Sequence, residues 1–591
     1  MYIKAKIMGD GEQLSPVERI KEKSRALRGT LAEGLLDEVS GAISEADQTL
    51  IKFHGMYQQD DRDRREERAG KKLDRLYSFM IRLRLPGGFL TPEQWIATHH
   101  IAGQYSTGVI KITTRQTLQL HGLLKSRIKP TLKAFNAIHL DSIAACGDVN
   151  RNVMCAAHPL QSEIHEQVHA YAARISQLLL PKTRAYYEIW LDDEKITDHK
   201  EEADPLYQER YLPRKFKVAI AIPPNNDVDV FTNDLALIAI IENNELKGFN
   251  IAIGGGMGTT HGNPNTYPRL ATVIGFVPVD GSASAALDGS TADEPPADEP
   301  PADKPSPDDR LFKTIYEIVT IQRDYGNRSD RKVSRLKYTV DKYGVDWYRE
   351  ELARRTGFQL EDARPAGFTD RKDYYGWQRN HRGLWYYTPF IESGRILDDE
   401  RVAMKSALLE IAETGKANFR FTGNQNLILA DIREEDKAAV AEILARYKII
   451  EHTEAASAIR KNSIACVALP TCPLALAEAQ RYLPDLIGKI EPLLAGNRLG
   501  EEDIIIRMTG CPNGCARPYI AEIGFVGTAA GQYNLYLGGD HEGTRLNSLY
   551  KENLDEAAIL QELAQLFKAY KQKRKAGERF GDFAHRLIIR R

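Results

Sequence analysis

Nowhere in the 591 residues is there a run of about 18 apolar side chains, so the sequence predicts no membrane-spanning helix. The opening stretch, MYIKAKIMGDGEQLSPVERIKEKSRALRG, lacks the apolar core of a signal peptide and the acid-poor bias of a transit peptide, which predicts a cytoplasmic chain. Neither sign of charge is in excess. With 80 basic and 82 acidic residues the net charge is -2, which excludes a global positive field that would draw the chain onto nucleic acid or anionic lipid. Any anion site must therefore be local. Cysteine is scarce, with six in the whole chain, and in a reducing compartment such thiols serve as ligands, nucleophiles or buried filler rather than disulfides. A nucleotide fingerprint is also missing, because the GGG of IAIGGGMG lacks the strand-turn-helix spacing of a dinucleotide or phosphate loop.

What is present is a multidomain globular chain. Hydrophobic residues make up 42% of it, and its length calls for two to four domains with room to bury a large cofactor. The first 75 residues are polar and charge-dense and read as an arm lying on the rest, with its charged end partly helical. Beyond them SFMIRLRLPGGFL and GVIKITTRQTLQLHGL alternate with the period of strands, and TPEQWIATHHIAGQY reads as a helix with Thr91 as N-cap and Pro92 in its first turn. Residues 108–121, GVIKITTRQTLQLH, align with residues 417–430, ANFRFTGNQNLILA; GFNIAIGGGMGT at 248–259 pairs more weakly with QYNLYLGGDHEGT at 532–544. The order is the same, which predicts a tandem duplication. Residues 280–309 break the globular pattern, with nine acidic residues, one lysine and six prolines, and are expected to be a disordered surface insertion.

Four of the cysteines fall in two loops. Cys466 and Cys472 in NSIACVALPTCPLA are separated by five residues, and Cys511 and Cys515 in RMTGCPNGCARP by three. Pro473 and Pro512 directly follow cysteines and Asn513-Gly514 forces a turn, so neither pair lies on a helix face. Four thiolates from two segments suit an iron-sulfur cubane; a structural zinc, which prefers tighter knuckles, and buried non-ligand cysteines remain as alternatives.

The setting TGCPNGC, with Cys466-x5-Cys472 upstream, resembles the signature of the sirohaem-dependent sulfite and nitrite reductases. Nearly the whole chain carries matching text: KFHGMYQQDDRD, RLPGG, TTRQTLQLHG, NRNVMC, TRAYYEIWLD, YLPRKFK, GFNIAIGGG and YKEN. Within the family it resembles the haemoprotein subunits whose electrons come from NADPH through a flavoprotein partner.

The resemblance implies an α/β (α+β) fold built by tandem duplication: an N-terminal arm (1–78), ferredoxin-like half-domains (79–143 and 375–452), a first α/β domain (144–374) and a second (453–591) around the cofactors. It implies a 4Fe-4S cluster on Cys466, Cys472, Cys511 and Cys515, with Cys515 also the axial ligand of a sirohaem. The implied reaction is six-electron reduction of sulfite to sulfide for cysteine synthesis. A ferredoxin donor, nitrite as substrate and, more distantly, a zinc-stapled scaffold are the rival readings.

A small oxyanion needs fixed positive charge and donors. On strand parity Lys215 and Lys217 share one face of YLPRKFK, Arg214 and Phe216 the other, and Arg82 and Arg84 share a face of MIRLRLPGG. The resemblance maps the anion-binding set onto Arg82, Arg151, Lys215 and Lys217. Lys215 and Lys217 are also candidate proton donors. Sirohaem carries eight carboxylates, for which Thr113, Arg115, Gln119 and Asn513 are the expected partners. His121 continues that parity and is expected to be a hydrogen-bonded structural histidine; Cys146 and Cys155 are expected to be small buried residues.

Overall fold

A computed structural model describes residues 13–159, 162–191, 203–281 and 306–590. Its strands begin in the arm. Residues of KFHGMYQQDD form β1 (Met56–Asp60), which pairs antiparallel with β2 (Tyr77–Arg82), so the last part of the sequence-assigned arm is an edge strand of the first half-domain. A two-residue strand β3 (Phe89–Leu90) leads into the helix Pro92–Tyr105, started by a capping box in which the Thr91 hydroxyl accepts from Gln94 N and Gln94 answers to Thr91 N. The hairpin β4 (Ile110–Ile112) and β5 (Leu118–Leu123) follows.

The first larger unit holds β6 (Met154–Cys155), β7 (Val218–Ala221), β8 (Leu235–Glu242), β9 (Glu245–Ile253) and β10 (Thr272–Pro278). Residues 282–305, most of the predicted acidic insertion, lie outside the described residues. Its last residues are ordered: Ser306 caps the helix Pro307–Tyr325. The second half-domain comprises β11 (Gly376–Arg379), β12 (Trp385–Thr388), β13 (Arg395–Ile396), β14 (Asn418–Phe421) and β15 (Leu427–Ile432). The second larger unit comprises β16 (Ser463–Ala465), β17 (Ile506–Thr509), β18 (Ile523–Ala529), β19 (Gln532–Leu537) and β20 (Ser548–Leu554).

The four five-stranded sheets form two matching pairs. The larger sheets run β6-β7-β8-β9-β10 and β16-β17-β18-β19-β20, each with two parallel pairings followed by two antiparallel ones. The half-domain sheets run β1-β2-β5-β4-β13 and β11-β12-β15-β14-β3, so each half lends its shortest strand to the other's sheet. Such reciprocal exchange ties the halves together through backbone hydrogen bonds, and a capped helix of the first half completes the joint. Trp95, fully buried, stacks on Phe419 of β14 at 4.7 Å with the rings 2° from parallel. Truncating it to alanine would cost about 3–5 kcal/mol.

The repeat read from the sequence holds residue by residue. Gln116 and Gln425 both take positive φ (51° and 68°) in the turns of their hairpins. Gln116 Nε2 donates to Phe421 O (3.1 Å), and Gln425 Nε2 donates to Ile112 O (3.4 Å), the counterpart carbonyl. Glycine is required where these turns meet the exchanged strands. A Cβ on Gly88 (φ 72°) would stand 3.0 Å from Phe421 O, and one on Gly394 (φ 67°) 2.6 Å from Ile112 O.

Candidate functional site

All four signature cysteines are unpaired and line one cavity of about 420 Å³. Cys466 leaves the end of β16, its backbone N donating to Met508 O, and its sulfur accepts from Gly510 N at 3.4 Å. The loop carrying Cys472 folds back so that Leu476 N and Ala477 N both donate to Gly510 O (2.7 and 3.0 Å). Cys511 receives Asn513 Nδ2 at 3.5 Å, and the Cys515 carbonyl receives the Thr114 hydroxyl at 2.9 Å. Parallel strands β16 and β17 thus end in the two cysteine loops, side by side. Burial, and then the other sulfurs, push the Cys466 and Cys511 thiols up and the Cys472 thiol to about 11. Four sulfurs brought to one cavity, three of them buried or half-buried, are a poor arrangement as thiolates unless cations take them up.

Facing the sulfurs is a cationic wall. Arg82, Arg151, Lys215 and Lys217, the predicted anion set, all line the same cavity. Arg82 Nη1 donates to Cys146 Sγ (3.1 Å), and Arg151 Nε donates to Gly147 O (2.9 Å). Among the described residues neither arginine meets a carboxylate. Lys215 and Lys217 lie deep in the molecule while keeping part of their surface open to the cavity. Burial, then the Arg214 guanidinium, brings the Lys215 ammonium down to about 7; burial, then Lys215, holds Lys217 well below its ordinary value. An incoming anion relieves both.

The hairpin turn supplies the next layer. Thr113, Arg115 and Gln119 line the cavity, as does Asn513 from the cysteine loop. Arg115 Nη1 donates to Asn233 Oδ1 and Nη2 to Asn152 O, both at 2.5 Å, which aims the guanidinium across the cavity floor. The Gln119 amide accepts from Arg82 Nε (2.8 Å) and donates to His121 Nε2 (3.2 Å), while His121 Nδ1 donates to Gln59 Oε1 (3.0 Å). Burial, then Lys111 and Arg82, pushes His121 down to about 3. It is a neutral, hydrogen-bonded histidine, as its sequence setting predicts.

Two expectations from strand parity need correction. Arg84 does not join Arg82 at the cavity. β2 ends at Arg82, and Arg84 turns to Asp141 (2.5 Å) and Ser176 (3.3 Å). Arg214 does not point away from Lys215 and Lys217, because residues 213–214 form a bend ahead of β7, and all three line the cavity while Phe216 is buried opposite. Cys146 and Cys155 are buried, and burial drives the Cys155 thiol far up.

Four cationic residues of the cavity lining escaped the sequence reading: Lys52, Lys111, Arg331 and Arg517. Lys52 comes from the arm, where its charge was one of many. Arg331 makes a forked pair with buried Asp148 (2.6 and 2.7 Å), which also faces Lys21 (3.5 Å). Burial alone would raise the Asp148 carboxyl, but Arg331 and Lys21 outweigh it and keep it ionised. Arg517 was visible in the quoted signature, two residues past Cys515. A larger hollow of about 720 Å³ beside Tyr207 and Lys342 holds none of the cysteines, and its Arg323 and Arg328 are already paired with Asp324 and Glu18.

Comparison with known proteins agrees with this geometry. The family profile described as "Nitrite/Sulfite reductase ferredoxin-like half domain" matches residues 72–138 and 378–447, and "Nitrite and sulphite reductase 4Fe-4S domain" matches residues 171–360. The latter stretch contains no cysteine; the thiols stand in its counterpart unit. A Leptospira biflexa protein named sulfite reductase (NADPH) hemoprotein beta-component is 57% identical over 98% of this chain and all of its own length. One of the same name from Geobacillus thermodenitrificans is 50% identical, covering 97% of this chain and 96% of its own. Among solved structures, that of the Mycobacterium tuberculosis NirA protein superposes with a TM-score of 0.74 at 22% identity, covering 98% of this chain and 97% of that one, which supports the fold. On full-length identity and doubled half-domain alike, the chain belongs to the nitrite and sulfite reductase family.

Proposed function

We propose that this chain is the haemoprotein component of an assimilatory sulfite reductase, reducing sulfite by six electrons to sulfide for cysteine synthesis. One observation carries the reading: four unpaired cysteines and the cations Arg82, Arg151, Lys215 and Lys217 line the same cavity, whose lining carboxylate, Asp148, is engaged by Arg331 and Lys21. Cys466, Cys472, Cys511 and Cys515 would hold a 4Fe-4S cluster, and Cys515 would share its sulfur with the iron of a sirohaem. That pair supplies electron storage next to a substrate-binding iron.

The protein's own residues do the rest. Arg82, Arg151, Lys215 and Lys217 bind the oxyanion and offset its charge, and Thr113, Arg115, Gln119 and Asn513 contact the macrocycle and its carboxylates. Crowding keeps Lys215 near neutrality in proton affinity, so its Nζ can hold a proton close to the oxygens that leave as water and be recharged from solvent. The donor is a flavoprotein subunit oxidising NADPH, a reading supported by the relatives' printed name. No helix among the described residues is long and apolar enough to cross a membrane, and the proposed setting is the cytoplasm. The division proposed is an arm up to residue 78 whose strand β1 joins the first half-domain, half-domains at 79–143 and 375–452, and larger domains at 144–374 and 453–591.

The test is an absorption spectrum of purified protein with iron and acid-labile sulfide counted, before and after sulfite is added to the reduced form. Tetrapyrrole bands with about five irons and four sulfides per chain, shifting on sulfite addition, are expected. A colourless zinc protein would overturn the proposal.

A further inference from the structure

The loop after β7 and the loop after β17 are counterparts: Asp229 lies eight residues past the end of its strand at Ala221, and Arg517 eight past Thr509. Both residues take the left-handed conformation (φ 48°, ψ 56° and φ 56°, ψ 49°), and each opens a short 3-10 turn. They also bind each other, Arg517 Nε donating to Asp229 Oδ2, so the axis relating the two units passes through an ion pair between equivalent positions. Asp229 is 1% exposed and Arg517 6%.

The remaining donors of Arg517 are spent with the same symmetry. Its Nη1 donates to Thr114 O (2.7 Å) and its Nη2 to Gly423 O (2.8 Å), carbonyls at matching places in the two hairpins. Thr114 returns the contact, its hydroxyl donating to Cys515 O. Asp229, Arg517, Thr114 and the Cys515 backbone therefore form a closed chain of bonds. Arg507 (2.6 Å) and Arg371 (3.2 Å) complete the shell of Asp229, leaving three buried guanidinia against one carboxylate behind the cysteine loop. An anionic iron-sulfur centre in front of that loop offsets such an excess.

Resting on the function proposed above, we propose that Asp229, a residue of the unit without the signature cysteines, is a positioning residue for Cys515. Acting through Arg517, it fixes where the sulfur common to the two metal centres sits. A lysine at 517 keeps the charge but cannot reach Asp229, Thr114 O and Gly423 O at once, because the forked geometry is lost.

The test uses the cofactor-loaded protein and low-temperature electron paramagnetic resonance of its reduced form, with iron and sulfide counts and steady-state kinetics. In Arg517→Lys, iron, sulfide and far-ultraviolet circular dichroism are expected to stay at wild-type levels. The coupled haem-cluster signal should give way in part to separate signals, and kcat should fall about tenfold, the cost of losing an outer-shell contact, at unchanged KM for sulfite. Asp229→Asn should show the same change more strongly, and Asp229→Glu should recover part of it. Wild-type resonance and kcat in Arg517→Lys would overturn the proposal, whether or not Asp229→Asn folds. A wild-type protein lacking the two centres would instead remove the function reading itself.

Discussion

After β17 the chain reads Cys511, Pro512, Asn513, Gly514, Cys515; after β7, at the same places, it reads Pro223, Pro224, Asn225, Asn226, Asp227. Both loops follow a central strand of a sheet with one plan, and both end in a left-handed residue and a 3-10 turn. Only one bears thiols. The other unit contributes what the thiols lack, since Arg151 precedes β6 and Lys215 and Lys217 precede β7, at the entry ends of strands whose counterparts carry cysteines at their exit ends. The two units thus form equivalent frames around one cavity, one lining it with the four signature cysteines and the other with Arg151, Lys215 and Lys217; on the function proposed above, the first ligates metal and the second binds the anion. Neither unit alone contains a complete site.

The sharpest way to break this comparison is to remove the difference at its centre. Cys515→Ser should lower sulfite reduction by more than ~100-fold, above the usual cost of losing an outer-shell partner. Spectra should show haem and cluster no longer coupled. Retained turnover would place the ligation elsewhere. On the cationic side, Lys217→Met should leave iron and sulfide content intact while raising KM for sulfite about tenfold, equivalent to ~1.4 kcal/mol of anion binding. An unchanged KM with reduced kcat would instead make Lys217 a proton carrier.

Asp227, the counterpart of Cys515, offers a milder contrast. It is buried, with Oδ2 accepting from Ala157 N at 2.7 Å and Oδ1 unpartnered, and burial raises its carboxyl from 3.8 to about 7. A raised acid binds more protons folded than unfolded. Its stability contribution is therefore fully present below the unfolded value and is lost as pH climbs through about 7. Asp227→Asn should flatten this part of the Tm-against-pH curve and raise Tm at pH values above about 7, with turnover near wild type. An unchanged pH profile would show that other groups set it.

The sequence made some of this legible and hid the rest for physical reasons. Hairpins 108–121 and 417–430 align because period-two alternation and the Gln turn are local, and Gln116 and Gln425 do occupy matching turns. The exchange of β3 and β13 could not be read, since two residues carry no periodicity. Residues 53–60 looked like polar arm because β1 carries Gln58, Gln59 and Asp60, which are polar yet buried or half-buried, so no apolar alternation marks the strand. The likeness of the loops 222–232 and 510–520 was masked by substitution at the chemically decisive places, with little beyond Pro-Asn in common. Arg214 was misassigned because parity was applied across a bend. The four cysteines, by contrast, stood out as two loop pairs from spacing and neighbouring prolines, while their ligand role came from the family resemblance.

The smallest expected effect compares the paired helices of the half-domains. Pro92–Tyr105 begins with the Thr91–Gln94 capping box, whereas its counterpart Met404–Glu413 begins after Ala403, which has no capping side chain, and takes its acceptor from outside the helix, Asp398 Oδ1 accepting from Ser406 N (3.0 Å). The first helix carries Trp95 into the joint between the halves, so its start must be fixed; the second buries Met404, Ala407, Leu408 and Ile411 along one face and is held by packing. Thr91→Ala should therefore cost about 1 kcal/mol in denaturant unfolding with no change in kcat or KM. Ala403→Ser, supplying a hydroxyl where Asp398 already accepts from Ser406 N, should gain less than that. Equal and opposite shifts would mean that both helix starts depend on a local cap alike, whereas a loss at 91 with no gain at 403 would show that Asp398 and packing already fix the second helix.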